Sequence, residues 1–187
     1  MAFLSRASLD QMGFAHVGEN VLISDKASIY GANRISVGDH ARIDDFCILS
    51  AGDGGIEIGR HVHIACYVSI LGAGKVTLED FCGISGRVSI YSSNDDYSGE
   101  WMTGPTVASE FTNVTSAAVT VGRHGIVGAG SVILPGVTLG EGCAIASLSL
   151  VNRDCDSFVI YAGCPARKVK ARSDRLLEIE ICFRGQD

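Results

Sequence analysis

An all-β fold, a parallel β-helix, is predicted by three observations. Val121, Val127, Ile133, Leu139, Ile145 and Val151 fall six residues apart without a slip, a period that fits neither a helix nor a simple alternating strand. Small residues, Gly125, Ser131, Val137, Cys143 and Ser149, follow four places after the first five of them. The chain also carries 23 glycines but only 3 prolines, which suits repeated tight corners rather than a disordered chain. Each six-residue unit makes one short strand and a corner, and three units close a triangular coil. The aliphatic residue fills the interior, the small one lets the corner turn inward, and stacked coils pair backbone to backbone.

With 187 residues, 47% apolar and 19% charged, the chain can bury a sizeable core and reads as one repeat domain with terminal additions. Residues 1–16 form an N-terminal cap, in which Ser8 and Gln11 resemble a capping box that starts a short helix. The repeat occupies 17–157. It begins at Val17, Ile23, Ile29 and Ile35, shifts phase to Val37, Ile43 and Leu49, and restarts at Ile58, Ile64 and Ile70 and again at Leu78, Ile84 and Ile90. This makes about six coils, and at ~4.8 Å per strand a prism about 29 Å tall.

After Ile90 the rhythm stops until Val119, which leaves residues 94–118 as one long extruded loop. Interruptions of this length are usually functional, and Tyr97, Trp101 and Phe111 argue for an ordered one. Residues 158–187 form a C-terminal basic segment and a helix over 173–183. Arg153, Arg167, Lys168, Lys170, Arg172 and Arg175 make a positive patch on a chain of net charge −6.

That net charge disfavours nucleic acid as a partner. No apolar run is long enough to span a bilayer and the first residues lack the features of an export signal, so a cytoplasmic protein without membrane insertion is expected. Of the seven cysteines, Cys47, Cys82 and Cys143 stand four places after Ile43, Leu78 and Leu139, where a small apolar side chain is wanted. They read as reduced structural thiols. No CxxC pair occurs, and no metal is expected.

The repeat over 17–151, its single looped-out interruption and the closing Tyr161-Ala-Gly-Cys-Pro-Ala-Arg-Lys-Val-Lys170 resemble the hexapeptide-repeat acyltransferases, most of all their galactoside and maltose acetyltransferase branch. The resemblance implies a left-handed helix, an exception to the right-handed crossover rule. It also implies a homotrimer that binds acetyl-CoA and its acceptor between neighbouring prisms. Ala129 and Ser147 take the places that line the pantetheine arm in that family. Asn152 and Arg153 resemble the pair that follows the last repeat, and Arg167 and Lys170 the basic residues near the coenzyme phosphates, where cations suit a triply phosphorylated ligand.

The acceptor end departs from the branch. Asp95 stands where those enzymes carry a histidine base, and Ala51, Ala65 and Ala73 stand where polar residues hold the sugar. Asp95 beside Asp96 forms a candidate catalytic pair, since neighbouring carboxylates repel and so favour proton uptake by one of them. Such a pair also suits an amino sugar, whose ammonium it can hold and deprotonate. Tyr97 and Trp101 are candidates to stack on a sugar or nucleotide. His61, His63 and His124 are competing bases, and each also fits a surface role.

The expected activity is therefore an acetyl-CoA-dependent acetyltransferase acting on a sugar hydroxyl or amino group, nucleotide-linked or destined for a surface polysaccharide. A non-catalytic scaffold is the alternative. A carbonic-anhydrase-like metal enzyme is a weaker one, for His61 and His63 lack a third histidine at a convincing spacing.

Overall fold

The computed structural model describes residues 2–185, so Met1 and residues 186–187 of the two predicted terminal segments lie outside the described residues. The aliphatic residues at each sixth position point inward from three parallel sheets that form the sides of a prism. The first sheet stacks strands His16–Val17, Ile35–Val37, Ile56–Ile58, Val76–Leu78, Val119–Val121 and Thr138–Leu139. The second stacks Leu22–Ile23, Arg42–Ile43, His63–Ile64, Gly83–Ile84, Ile126–Val127, Ala144–Ile145 and Val159–Ala162, and Arg167–Ala171 closes it antiparallel. The third runs from Ser28–Tyr30 through Ile48–Ala51, Ser69–Gly72, Ser89–Tyr91 and Val132–Ile133 to Leu150–Val151. The last parallel strand of the second sheet begins a seventh coil beyond the six read from the repeat.

Register places like on like. Ile43, Ile64, Ile84, Val127 and Ile145 form one inward column, and Leu49, Ile70, Ile90, Ile133 and Val151 another, all buried. Each such side chain contributes about 1.5–3 kcal/mol of burial. Phase shifts are absorbed at corners, as in the short 3-10 turn Ala32–Arg34, which lets both Ile35 and Val37 stay inside. Cys47, Cys82 and Cys143 are buried at inward corners. Burial pushes the Cys47 thiol up to about 11 and the Cys82 thiol to about 12, which leaves them inert.

The cap differs in detail from its expectation. Helix α1 spans Arg6–Gln11, and its N-cap is Ser5, whose hydroxyl accepts from the Ser8 amide at 3.1 Å. Ser8 is thus the donor partner of the cap rather than the cap itself, because the chain turns helical three residues earlier than the Ser8–Gln11 pair suggests. Helix α2 spans Leu176–Arg184, shorter at its start than the predicted 173–183.

Helix α2 docks on a ladder of rings at an outer corner. His40, His61, Phe81 and His124 all take the left-handed conformation there, with φ of 57°, 56°, 62° and 59°. Their rings stack at 4.8, 4.9 and 5.1 Å, the spacing of the coils themselves. Phe183 sets its edge against His61 and Phe81. Glu180, 6% exposed, anchors the helix through His124 Nε2 at 2.6 Å and Arg123 Nη1 at 3.0 Å, and within the helix it accepts from Arg184 Nε at 2.6 Å.

Burial pushes the Glu180 carboxyl up, but hydrogen bonds from His124 and Arg184 and the charge of Arg123 outweigh it and hold the group below the usual carboxylate range. A depressed carboxylate stabilises the docked helix above the ordinary range, and that contribution disappears as the pH falls through its lowered value. Glu180→Gln is expected to loosen α2 by about 2 kcal/mol at neutral pH. Hydrogen exchange over 176–184 should rise while the prism core stays protected, and acidification should reproduce the effect in the unmodified chain.

Candidate active site

Asp95 and Asp96 sit at the root of the long loop, which is held by a short antiparallel ribbon. Ser93–Asn94 pairs with Thr115–Ser116, and the Ala117 amide bonds to the Ser92 carbonyl at 3.0 Å. A 3-10 turn at Ser109–Phe111 and a bridge between Met102 and Thr112 give the loop its own order. Asp95 follows this neck directly and is exposed.

The two carboxylates have different surroundings. Asp96 Oδ2 accepts from the Ser98 amide at 3.0 Å, the Ser98 hydroxyl at 2.7 Å and the Gly99 amide at 3.2 Å, so it serves as a turn-former. Asp95 has one long contact, from the Gly104 amide at 3.4 Å, and opens onto a cleft of about 490 Å³. Tyr91, Ser93, Asn94, Tyr97, Val132 and Leu134 complete its walls. Asp95 is therefore the free member of the pair. Tyr97 shares its cleft at 91% exposure, while Trp101 stands farther along the loop, outside that lining and 45% exposed.

The proposed coenzyme residues group at a different corner. The Leu148 amide bonds to the Ala129 carbonyl at 2.9 Å, which sets Ser147 beside Ala129 on the next rung. Both are exposed. The close stacking depends on Gly128, where an added Cβ would lie 2.4 Å from the Ser147 nitrogen. The column continues backwards through Gly86 and Cys66, joined by the Gly130 to Gly86 and Arg87 to Cys66 backbone bonds.

Beyond the last coil, Ala166 bonds to the Leu150 carbonyl at 2.8 Å, so Arg167 leaves its turn beside the rung that runs on into Asn152 and Arg153. Asn152, Arg153, Arg167 and Lys170 are all exposed. Arg172 of the same basic run is committed elsewhere, its guanidinium bonded to the His124 and Gly142 carbonyls at 3.0 and 2.9 Å. The basic segment thus divides into a structural arginine and exposed cations beyond the last coil, of which Arg167 also donates to the Ala166 carbonyl and Lys168 pairs with Asp156.

A second cleft, of about 270 Å³, lies on the outer face of the second sheet and is lined by His63, Ala65, Gly83, Ile84, Ser85, Gly86 and Ile126. At its edge Asp44, 6% exposed, receives Arg42 Nε at 2.7 Å and faces His63 Nε2 at 2.9 Å. Burial pushes the Asp44 carboxyl up, and the hydrogen bonds and charge of Arg42 and His63 more than reverse this and hold it below the usual range. The sequence reading passed over Asp44 and Ser85. Coil length was the available signal, for Asp44, Ala65 and Ser85 are 21 and 20 residues apart and so share one outward column. Of the competing histidines, His61 is stacked in the ring ladder and His124 is bound to Glu180, both lining a cleft of about 320 Å³ beside helix α2, whereas His63 lines the cleft of the second sheet.

A triangular prism of short parallel strands, with one extruded loop, a small-residue column and terminal cations, defines the class of protein as a left-handed β-helical acyltransferase. The chain belongs to the hexapeptide-repeat acyltransferase family, and it is an acyl-CoA-dependent enzyme acting on a sugar. It is 54% identical over 184 residues to the dTDP-4-amino-4,6-dideoxy-D-glucose acyltransferase of Escherichia coli, a match spanning 98% of this chain and 96% of that one. AntD, an N-acyltransferase from Bacillus cereus solved with dTDP-4-amino-4,6-dideoxyglucose and coenzyme A, is 42% identical with a TM-score of 0.95, covering 100% of this chain and 99% of that one. AntD has also been solved with dTDP and 3-hydroxybutyryl-CoA. The galactoside O-acetyltransferase of Escherichia coli is more distant, 29% identical over 143 residues, 75% of this chain and 65% of that one. No family model matches the chain.

Asp96→Ala is expected to release the 96–99 turn without loss of the prism. Limited proteolysis should then cut the 94–118 loop faster, with the melting temperature nearly unchanged.

Proposed function

We propose that the chain transfers an acyl group from acyl-CoA to the amino group of a dTDP-linked 4-amino-4,6-dideoxy sugar. The similarity over almost the full length of the Escherichia coli dTDP-4-amino-4,6-dideoxy-D-glucose acyltransferase carries this reading. The free carboxylate of Asp95, in the position of a histidine base, agrees with it. In this reading Asp95 holds the acceptor ammonium by a charge-assisted hydrogen bond and takes its proton. The neutral amine then attacks the thioester carbonyl, and the tetrahedral intermediate collapses with cleavage of the C–S bond, the second amine proton passing to the departing coenzyme A thiolate. Ala129 and Ser147 line the pantetheine arm, and Asn152, Arg153, Arg167 and Lys170 meet the coenzyme phosphates. Tyr97 flanks the acceptor. Trp101 stacks on it only if the loop meets another copy.

Such a copy is part of the proposal, a homotrimer with sites between subunits. The Ala129 column and Asp95 lie at opposite ends of the third sheet's face, so one chain alone does not unite them, whereas neighbouring prisms do. Among the described residues no helix is long and apolar enough to cross a membrane. All seven cysteines are free, which fits the expected cytoplasmic setting. The acyl group is acetyl in the reading from sequence; the AntD complex with 3-hydroxybutyryl-CoA makes a longer chain a second candidate.

Free-thiol release from acetyl-CoA and 3-hydroxybutyryl-CoA tests this with dTDP-4-amino-4,6-dideoxyglucose and its 4-hydroxy counterpart. Turnover of the amino sugar alone is expected, and Asp95→Asn should lower kcat by about 10²-fold or more. Equal turnover of both sugars, or of neither, would remove the amino-sugar reading.

A further inference from the structure

Two buried hydroxyls, inside the corner behind Ala129 and Ser147, have no part in the steps above. We propose that Ser131 and Ser149 are positioning residues for acyl-CoA. Together they fix the Ala146–Ser147 peptide beside the pantetheine arm, and Ser149 also ties that peptide to the turn that carries Arg167. The proposal rests on the coenzyme placement given above and adds to it the internal link between its two halves.

The column that holds the serines supplies the first argument. Cys47, Val68, Val88, Ser131 and Ser149 follow one another up the inward corner between the second and third sheets, each carbonyl accepting from the first amide of a third-sheet strand on the coil below. Val68 and Val88 show that this column accepts an aliphatic side chain. It turns to serine on the two rungs that carry Ala129 and Ser147, each two residues before a serine. A buried hydroxyl costs free energy unless it is bonded. Both are bonded, and to the same carbonyl.

The second argument is what those bonds do. Ser131 Oγ donates to the Ala146 carbonyl at 3.0 Å and Ser149 Oγ donates to it at 2.7 Å. The Ser149 amide donates to Ser131 Oγ at 3.2 Å. One corner below, the Ser131 amide instead closes its own turn on the Gly128 carbonyl at 3.3 Å. At the Ser147 corner two hydroxyls thus take the place of one turn bond and occupy both lone pairs of the carbonyl. Carbonyl and N–H point in opposite directions across a trans peptide, so holding the Ala146 carbonyl toward the serines turns the Ser147 N–H away from them, to the exposed side of the corner.

The third argument is the tie to the basic turn. Ser149 Oγ also accepts from the Gly163 amide at 3.1 Å. Gly163 has a φ of 104°, which favours glycine, and its carbonyl accepts from the Leu150 amide at 3.0 Å. With the bond from the Ala166 amide to the Leu150 carbonyl, the turn leading to Arg167 is fastened to Ser149 and Leu150 at three points. Among the described residues Ser131 makes no hydrogen bond to that turn. Both serines therefore set the column, and only Ser149 sets the distance from it to Arg167.

The test is calorimetric titration with coenzyme A of variants whose fold is checked by thermal melting. Ser149→Val, a side chain that the column already holds, is expected to weaken coenzyme A about 3- to 10-fold, and Ser149→Thr, of similar shape with the hydroxyl kept, to stay within about twofold of the unmodified chain. Ser131→Val and Ser131→Thr should behave alike. Combined with Arg167→Ala, Ser149→Val should cost less than the product of the two single effects, whereas Ser131→Val should cost the full product. Ser149→Ala and Ser131→Ala serve the same comparison where a valine variant does not fold. A purely structural role moves the melting temperature and leaves the affinity alone, so folded variants without the hydroxyl that bind as tightly as the unmodified chain would overturn the serine link alone. Valine and threonine variants weakened equally would also overturn it, and a full product for Ser149→Val with Arg167→Ala would remove the tie to the basic turn. Failure of the unmodified chain to bind coenzyme A would instead overturn the coenzyme placement, and the link with it.

Discussion

Parallel backbone pairing at one strand spacing is the constraint on which everything else in this molecule rests. Because each coil must sit on the last in register, a position repeats up the prism and becomes a column. Inside, the columns are aliphatic and supply the core. Outside, the same geometry forces whatever side chains occur into contact at intervals near 5 Å, as the ladder from His40 to His124 shows. Two breaks interrupt the outward columns, the missing side chain at Gly83 and the chain leaving the third sheet at Ser93–Asn94.

Two nearly buried carboxylates show how charge is managed on such a surface. Asp44 is held ionised by an arginine and a histidine and Glu180 by two arginines and a histidine, and in each case partner interactions outweigh burial. Their consequences differ with what lies beyond the histidine. His124 is enclosed between Phe81 and helix α2, so its pairing with Glu180 fastens a terminal element. His63 ends at an open cleft, so the same pairing orients a group that a ligand can reach.

The fold was legible because its signal is periodic. Val121, Val127, Ile133, Leu139, Ile145 and Val151 fix the coil length, and all six are buried. The seventh coil was missed because its inward positions, Cys155 and Tyr161, are not aliphatic and Cys155 follows Val151 after four residues instead of six, so it is recognised only by its pairing with Leu139, Ala144 and Ile145. The cap moved from Ser8 to Ser5 because a capping motif is local, while the start of the helix is set by where the chain leaves the prism. Asp95 and Ala129 were singled out through resemblance at single positions, and their roles are proposals. Asp44, Gly83 and Ser85 were not, since their meaning comes from neighbours 20 or so residues away, brought together only by the register of the coils.

The unequal fate of Asp95 and Asp96 bears on the kind of acceptor. A sugar hydroxyl must lose its proton as it attacks, which calls for a strong base; an amine needs only to be held and relieved of the proton that makes it an ammonium. With the Asp96 carboxylate engaged by the Ser98 and Gly99 amides, a single solvent-facing carboxylate remains at the head of the loop. Unassisted, it is a poor base for a hydroxyl and a good counter-ion for an ammonium. Once the amine is neutral, its own nucleophilicity toward a thioester does what a histidine does for a hydroxyl. The proposed role of Asp95 in place of a histidine base thus has a chemical logic that points to nitrogen rather than oxygen as the attacking atom.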